Sequence, residues 1–227
     1  MKTLPSELFP PPISALLHSL SSAGFFERSL LIGSWVMPLY QELYEAKYVL
    51  RTGDIDFAVH LVHPKKKIRT DLERVLTDLG FIDFFDAEGV QKFSAAGYEV
   101  EFIAHRPGGK NVGSLPVREW NISALPLPFI NVLFSCSETA LLGDFIIRFP
   151  VPEAYFVHKL IVAPRRKSPA KQGKDLEQCR VLARILNEER LSEVMKSQRF
   201  SKKTKGDIAQ SCEAIDFPLQ KLELYKL

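Results

Sequence analysis

Two aspartates with one residue between them, Asp54 and Asp56 in Arg51-Thr52-Gly53-Asp54-Ile55-Asp56-Phe57, have the spacing in this chain that points most directly to chemistry. Along a strand, side chains alternate faces, so both carboxylates project from one side, roughly 7 Å apart. Without a cation they repel, and one of them tends to keep its proton. A divalent ion removes that conflict, and Mg²⁺ typically takes one or two carboxylates together with substrate phosphates. Two ions about 4 Å apart can serve both the attacking and the leaving oxygen of a phosphoryl displacement. Such a site often needs a third carboxylate from a neighbouring strand. Glu101, flanked by apolar residues in Val100-Glu101-Phe102-Ile103, is the candidate, and Glu99 on the same face is its competitor. Upstream, Leu31-Ile32-Gly33-Ser34-Trp35 reads as an apolar strand that ends in a Gly-Ser turn and enters a helix. That arrangement offers a phosphate backbone N–H groups, a hydroxyl and the positive helix end. Gly33 permits close approach and Ser34 donates. The expectation is a nucleoside triphosphate held by its phosphates, with Mg²⁺ (or Mn²⁺) beside it.

The elements that must position these residues are legible from periodicity. Pro10-Pro11-Pro12 precede a helical spacing of Ile13, Leu16, Leu17 and Leu20, and Gly24 supplies the stop. Ser29–Ile32 forms a strand, and a helix runs from Trp35 to about Ala46, with Pro38 in its first turns where a missing N–H matters least. The stretch Tyr48 to Val62 contains the acidic strand, in which Ile55, Phe57, Val59 and Leu61 alternate against Asp54, Asp56, Ala58 and His60. After a polar Pro64–Lys67 loop, Thr70-Asp71-Leu72-Glu73 reads as a capping box for a helix that Gly80 ends. A hairpin or meander follows from Phe81 to about Ala104, its last strand carrying Glu101. Further strands are expected at Asn131–Ser135 and Phe145–Phe149, and Pro164–Gly173 reads as a charged loop. Beyond Pro150-Val151-Pro152 the pattern turns helical, which places a boundary near 150: a catalytic domain over 1–150 and a helical domain over 151–227.

Composition excludes several classes. The chain has 227 residues, 46% hydrophobic and 25% charged, which suits a soluble protein with a real core. Thirty basic against 27 acidic residues leave +3, too even to mark a dedicated nucleic-acid binder, though a local patch would suffice. Three scattered cysteines build neither a disulfide framework nor a Cys-x-x-Cys zinc site, which points to a reducing, cytoplasmic compartment. The apolar stretch Ala124–Cys136 is broken by Pro126 and Pro128 and is too short for a bilayer, so no membrane association is expected. Five histidines show no paired metal spacing, although His60 continues the Asp54/Asp56 face.

The order Leu-Ile-Gly-Ser, Asp-Ile-Asp-Phe and Val-Glu-Phe-Ile resembles the nucleotidyltransferase fold of the DNA polymerase β superfamily. The Arg-Thr-x-Asp-Ile-Asp form at Arg51–Asp56 is similar to uncharacterised prokaryotic nucleotidyltransferases of the NTP_transf_8 and abortive-infection (AbiEii-like) types. Pro152–Leu160, Arg165-Arg166 and Gly173-Lys174-Asp175-Leu176 resemble the helical half of those relatives, where a Pro-to-Lys-Leu segment and a later Lys-Asp open two helices beside the nucleotide. The third acid is Glu where many relatives carry Asp, which keeps the charge and lengthens the arm.

The resemblance implies an α/β fold: a small mixed sheet followed by a mainly helical C-terminal half. It implies that Gly33 and Ser34 hold the triphosphate, that Asp54, Asp56 and Glu101 bind metal, and that Lys159 and Lys174 neutralise phosphate. The reaction would be transfer of a nucleoside monophosphate to an acceptor hydroxyl of RNA, protein or a small molecule. A toxin-like enzyme with a partner antitoxin, or a nucleotide-binding module that does not turn over, are the other readings.

Overall fold

The computed structural model describes residues 1–50, 52–61, 70–87, 89–106 and 113–224. Arg51, Val62, His63, the Pro64–Lys67 loop and Glu88 lie outside the described residues. In chain order the first elements are β1 (Lys2–Leu4), α1 (Pro11–Ser22), β2 (Ser29–Ile32), α2 (Met37–Tyr44) and β3 (Asp54–Val59). There follow α3 (Leu72–Asp78), β4 (Ile82–Phe85), β5 (Gln91–Ala95), β6 (Tyr98–His105), β7 (Leu115–Val117) and β8 (Ile122–Leu127). Then come α4 (Ile130–Ser135), β9 (Ser137–Leu142), β10 (Phe145–Pro150), α5 (Pro152–Val162), α6 (Pro169–Leu182), α7 (Glu188–Lys196) and α8 (Lys202–Ala214). The fold is mixed α/β, and among the described residues no helix is long and apolar enough to cross a membrane.

The chain divides into two units: Met1–Leu39 with Leu50–Ile130 and Glu138–Phe149, and Tyr40–Val49 with Asn131–Ser137 and Pro150–Leu227. In the first, a seven-stranded mixed sheet has the order β2-β3-β6-β5-β4, with β8 pairing β6 and β7 pairing β8. A second sheet has the order β1-β9-β10. β2 runs antiparallel to β3 and β3 parallel to β6. The turn between β5 and β6 is Ala96-Gly97, both at positive φ (50° and 81°), the backbone of a tight two-residue hairpin. It sets Ala95 opposite Tyr98 and therefore Lys92 opposite Glu101. A slip of one residue would turn Glu101 into the apolar face.

That apolar face is aromatic. Phe57 and Phe102 are register partners with ring centroids 5.8 Å apart, and Phe25 meets Phe57 edge-on at 5.4 Å. Phe93 meets Phe102 at 6.0 Å, and all four rings are fully buried. Each contributes roughly 1.5–3 kcal/mol by leaving water. This side fastens the strands and leaves the opposite side of β3 and β6 to the carboxylates.

In the second unit α5 is buried along nearly its whole length, including Glu153, His158 and Lys159. A helix buried all round must satisfy its polar groups within the protein. Glu153 accepts from the Asn187 backbone N–H at 2.7 Å, and the Leu160 carbonyl accepts from Ser211 at 2.8 Å.

Four expectations need correction. Residues Asn131–Ser135, expected as a strand, belong to helix α4; a short buried apolar run does not betray its period. The charged loop expected at Pro164–Gly173 is instead a short 3-10 turn (Ala163–Arg165) and the first turns of α6. Ser168 caps α6 by accepting from the Lys171 N–H, and Pro169 occupies its first position, so Lys174-Asp175 lies inside the helix. The cap of α3 is Asp71 rather than Thr70: Asp71 accepts from Arg74 N–H at 3.0 Å, while the Thr70 hydroxyl donates to the Ala23 carbonyl. Gly33–Val36 forms a 3-10 turn before α2 starts at Met37, so Gly33 and Ser34 do not open an α-helix directly. The Met37 N–H closes that turn on the Ser34 carbonyl.

Candidate active site

Parallel pairing of β3 with β6 sets Asp54 opposite Glu99 and Asp56 opposite Glu101. Four carboxylates thus share one face over two adjacent strands. On the antiparallel side, Ile32 pairs with Asp56, which carries the chain into the Gly33 turn directly beside that carboxylate. A Cβ placed on Gly33 would lie 2.1 Å from Asp56 Oδ2 and 3.0 Å from its Cγ. Gly33 also has φ +67°, a conformation most side chains resist. Glycine is therefore required at this position twice over. Gly53, just before the motif, would bring a Cβ to 2.7 Å from the Gly97 carbonyl, so the hairpin turn also closes on the backbone here.

The electrostatics follow from this crowding. Burial, and next the Asp56 carboxylate, push Glu101 up to about 7 against the opposing pull of Lys92. Glu101 is thus poised to gain or lose a proton near neutrality. Burial works to lower Lys92, but Glu101, then Glu99, Asp86 and Asp54 outweigh it and hold its ammonium above the usual value. Lys92 Nζ stands 3.6 Å from Glu99 Oε2 and lies opposite Glu101 in the register, so one cation is shared by the two glutamates while Glu101 also faces Asp56. Trp35, in the Gly-Ser turn, packs between Phe9 and Tyr98 at 6.1 and 5.9 Å and is part of the core.

Among the described residues no three His, Cys, Asp or Glu side chains converge into a preformed metal group. An open Mg²⁺ site needs less, since one or two carboxylates, waters and substrate phosphates complete the shell. The oxygen donors of Asp54 and Asp56, with the raised proton affinity of Glu101 beside them, fit a hard divalent cation.

The structure brings Gly33, Ser34, Asp54, Asp56 and Glu101 into one unit. Lys159 and Lys174 belong to the other. Lys159 is 6% exposed, its ammonium pairs with Asp175 and lies 5.2 Å from the Tyr155 ring centroid. Arg166 Nε reaches the other oxygen of Asp175 at 2.7 Å. Burial works to raise Asp175, but Lys159 and then Arg166 outweigh it and hold the carboxyl below its usual range. Neighbouring His158 is pushed down to about 3 by burial and then by Lys159, so it stays neutral. Lys174 is half-buried on α6. The cation facing Glu101, Lys92, is absent from the sequence expectations, as is Asp86. The signal for Lys92 was available: a two-residue turn at Ala96-Gly97 counts back to a Lys92–Glu101 pair.

The profile of a nucleotidyltransferase family, NTP_transf_8, matches residues 12–201. A solved structure, that of an antigenic nucleotidyltransferase-like protein from Paracoccidioides brasiliensis, is similar over 92% of both chains, with a TM-score of 0.52 and 14% identity. At that identity the likeness is one of fold. No curated protein matches the chain.

Proposed function

The chain belongs to this nucleotidyltransferase family, and on that premise we propose that it transfers a nucleoside monophosphate from an NTP to an acceptor hydroxyl. The observation that carries the reading is the register of Asp56 with Glu101, beside a glycine at which any Cβ would run into the Asp56 carboxylate. Asp54 and Asp56 would hold the cation. When bound, Mg²⁺ or Mn²⁺ supplies the positive charge that offsets the triphosphate. Gly33 and Ser34 form the turn against which the phosphates rest. Glu101, facing Asp56 across the strand pair, would accept the proton of the attacking hydroxyl. The acceptor oxygen bonds to the α-phosphorus while the bond from that phosphorus to pyrophosphate breaks, and pyrophosphate leaves. Catalysis in this scheme is positioning and charge neutralisation.

Thermal shifts with each common NTP, in Mg²⁺ or EDTA, test the reading on wild type and on Asp54→Ala/Asp56→Ala. A Mg²⁺-dependent rise with an NTP, lost in the double variant, supports it. Asp56→Asn should abolish NTP turnover while melting at or above wild type, because a repelling charge has gone. Undiminished turnover in Asp56→Asn would sink the metal-site assignment.

A further inference from the structure

The strands that carry the carboxylates have a second charged end. His60 directly follows β3 and His105 closes β6, each roughly 13 Å along its strand from Asp56 or Glu101. Val59 pairs with Ala104, so the residues that follow, His60 and His105, come side by side. Ser29 pairs with Val59 from the other edge, which brings Arg28 alongside His60. Arg148, on β10, donates from Nη1 to the Glu27 carbonyl at 3.2 Å and so enters the same corner. Two arginines and two histidines from four separate segments of the first unit converge there.

Arg28 is the telling residue. Both its terminal nitrogens, Nη1 and Nη2, are buried and make no hydrogen bond among the described residues, while its guanidinium lies 5.4 Å from the centroid of the Trp120 ring. Trp120 is itself 2% exposed, so the stack is fixed. A guanidinium does not shed its proton, and burying a charge without a counter-charge is strongly unfavourable. Nearby, Ser29 Oγ and His105 Nδ1 are likewise buried without a hydrogen-bond partner among the described residues. Burial, then Arg148 and Arg28, hold His60 below its usual value, and burial, then His60, does the same to His105. Two cationic side chains, Arg148 and Arg28, therefore act on His60. His60 is exposed and is the residue of this group that meets solvent most directly.

We propose that Arg28, Arg148, His60 and His105 form an anion site that takes a phosphate group, separate from the carboxylates at the other end of the same strands. A phosphate oxygen edge matches the fork of Nη1 and Nη2, and charge-assisted bonds of this kind are the strong ones. The stack on Trp120 holds the fork in place before the ligand arrives. The site requires no metal and no NTP turnover, so it stands apart from the reading above.

The test is a titration with inorganic phosphate in EDTA, followed through the imidazole ¹⁵N resonances of His60 and His105. A second arm compares a nucleoside 5′-monophosphate with its nucleoside, to tell esterified from free phosphate. Wild type should show saturable shifts of both histidines, with affinity falling about tenfold or more in Arg28→Gln. Arg148→Gln and Arg28→Lys, which keeps the charge but not the fork, should weaken binding too and guard against a misfolded Arg28→Gln. No saturable shift in wild type with any phosphate, or equal affinity in the arginine variants, would overturn the site and leave the Arg28 nitrogens to trapped water.

Discussion

Replacing Glu101 by glutamine keeps the shape of the side chain and removes a charge that the site holds at a cost. In the folded chain the carboxyl is pushed from 4.5 to about 7, first by burial and then by Asp56. A displacement of that size disfavours the charged form by about 3 kcal/mol at most. Glu101 keeps some contact with solvent, so about half of that, ~1.5 kcal/mol, is the working figure. Below pH 4.5 the group is protonated in both the folded and unfolded chain and has no effect. Between 4.5 and about 7 the unfolded chain releases the proton while the folded chain keeps it, so wild type loses stability as pH rises. Above about 7 the loss is complete. Glu101→Gln escapes it. Melting curves in EDTA should therefore coincide for the two proteins near pH 4 and separate by about 3–6 °C at pH 8, with the variant the more stable. Mg²⁺ with NTP should then raise wild type more than the variant. An equal difference at both pH values, or a variant less stable at pH 8, would refute the argument that crowded carboxylates raise Glu101.

Gly33→Ala should destabilise the fold by about 1–3 kcal/mol in urea titrations and abolish any NTP-dependent thermal shift, because φ is +67° and the new Cβ would lie 2.1 Å from Asp56 Oδ2; a variant as stable and responsive as wild type contradicts this. Asp175→Asn leaves the buried Lys159 ammonium without its counter-charge, and urea unfolding should show a loss of about 3–5 kcal/mol. A loss under about 1 kcal/mol would mean that solvent reaches Lys159 after all. Asp71→Ala removes the cap that accepts from Arg74 N–H and should lower stability by about 1 kcal/mol, checked the same way and without effect on nucleotide response.

Much of the frame was legible along the chain. Alternation around Asp54 and Asp56 placed both on one face of a strand, and the structure has them on β3. The Ile13–Leu20 spacing, with Gly24 in a left-handed conformation after it, marked α1 and its end. The hairpin strand with Glu101 and the helical character beyond Pro152 were equally plain. Where periodicity was short the reading failed: α4 has too few residues to declare a helix, and the lysine-rich opening of α6 looked like a loop because Ser168 and Pro169 were not weighed as cap and first position.

Local residue order determines which side chains share a strand face, because the alternation is built into the backbone of each strand. It does not determine which strands meet. Only the tertiary pairing decided that Asp56 faces Glu101, that Glu99 has Lys92, and that the Gly33 turn closes on the Asp56 carboxylate. Only it gave Asp175 to the Lys159 ammonium, and only it gathered Arg28, His60, His105 and Arg148 from distant segments to one end of the sheet. Within the sheet these are long-range choices, set by burying the aromatic face of Phe25, Phe57, Phe93 and Phe102. The charges on the other face had to accept whatever neighbours that burial assigned them.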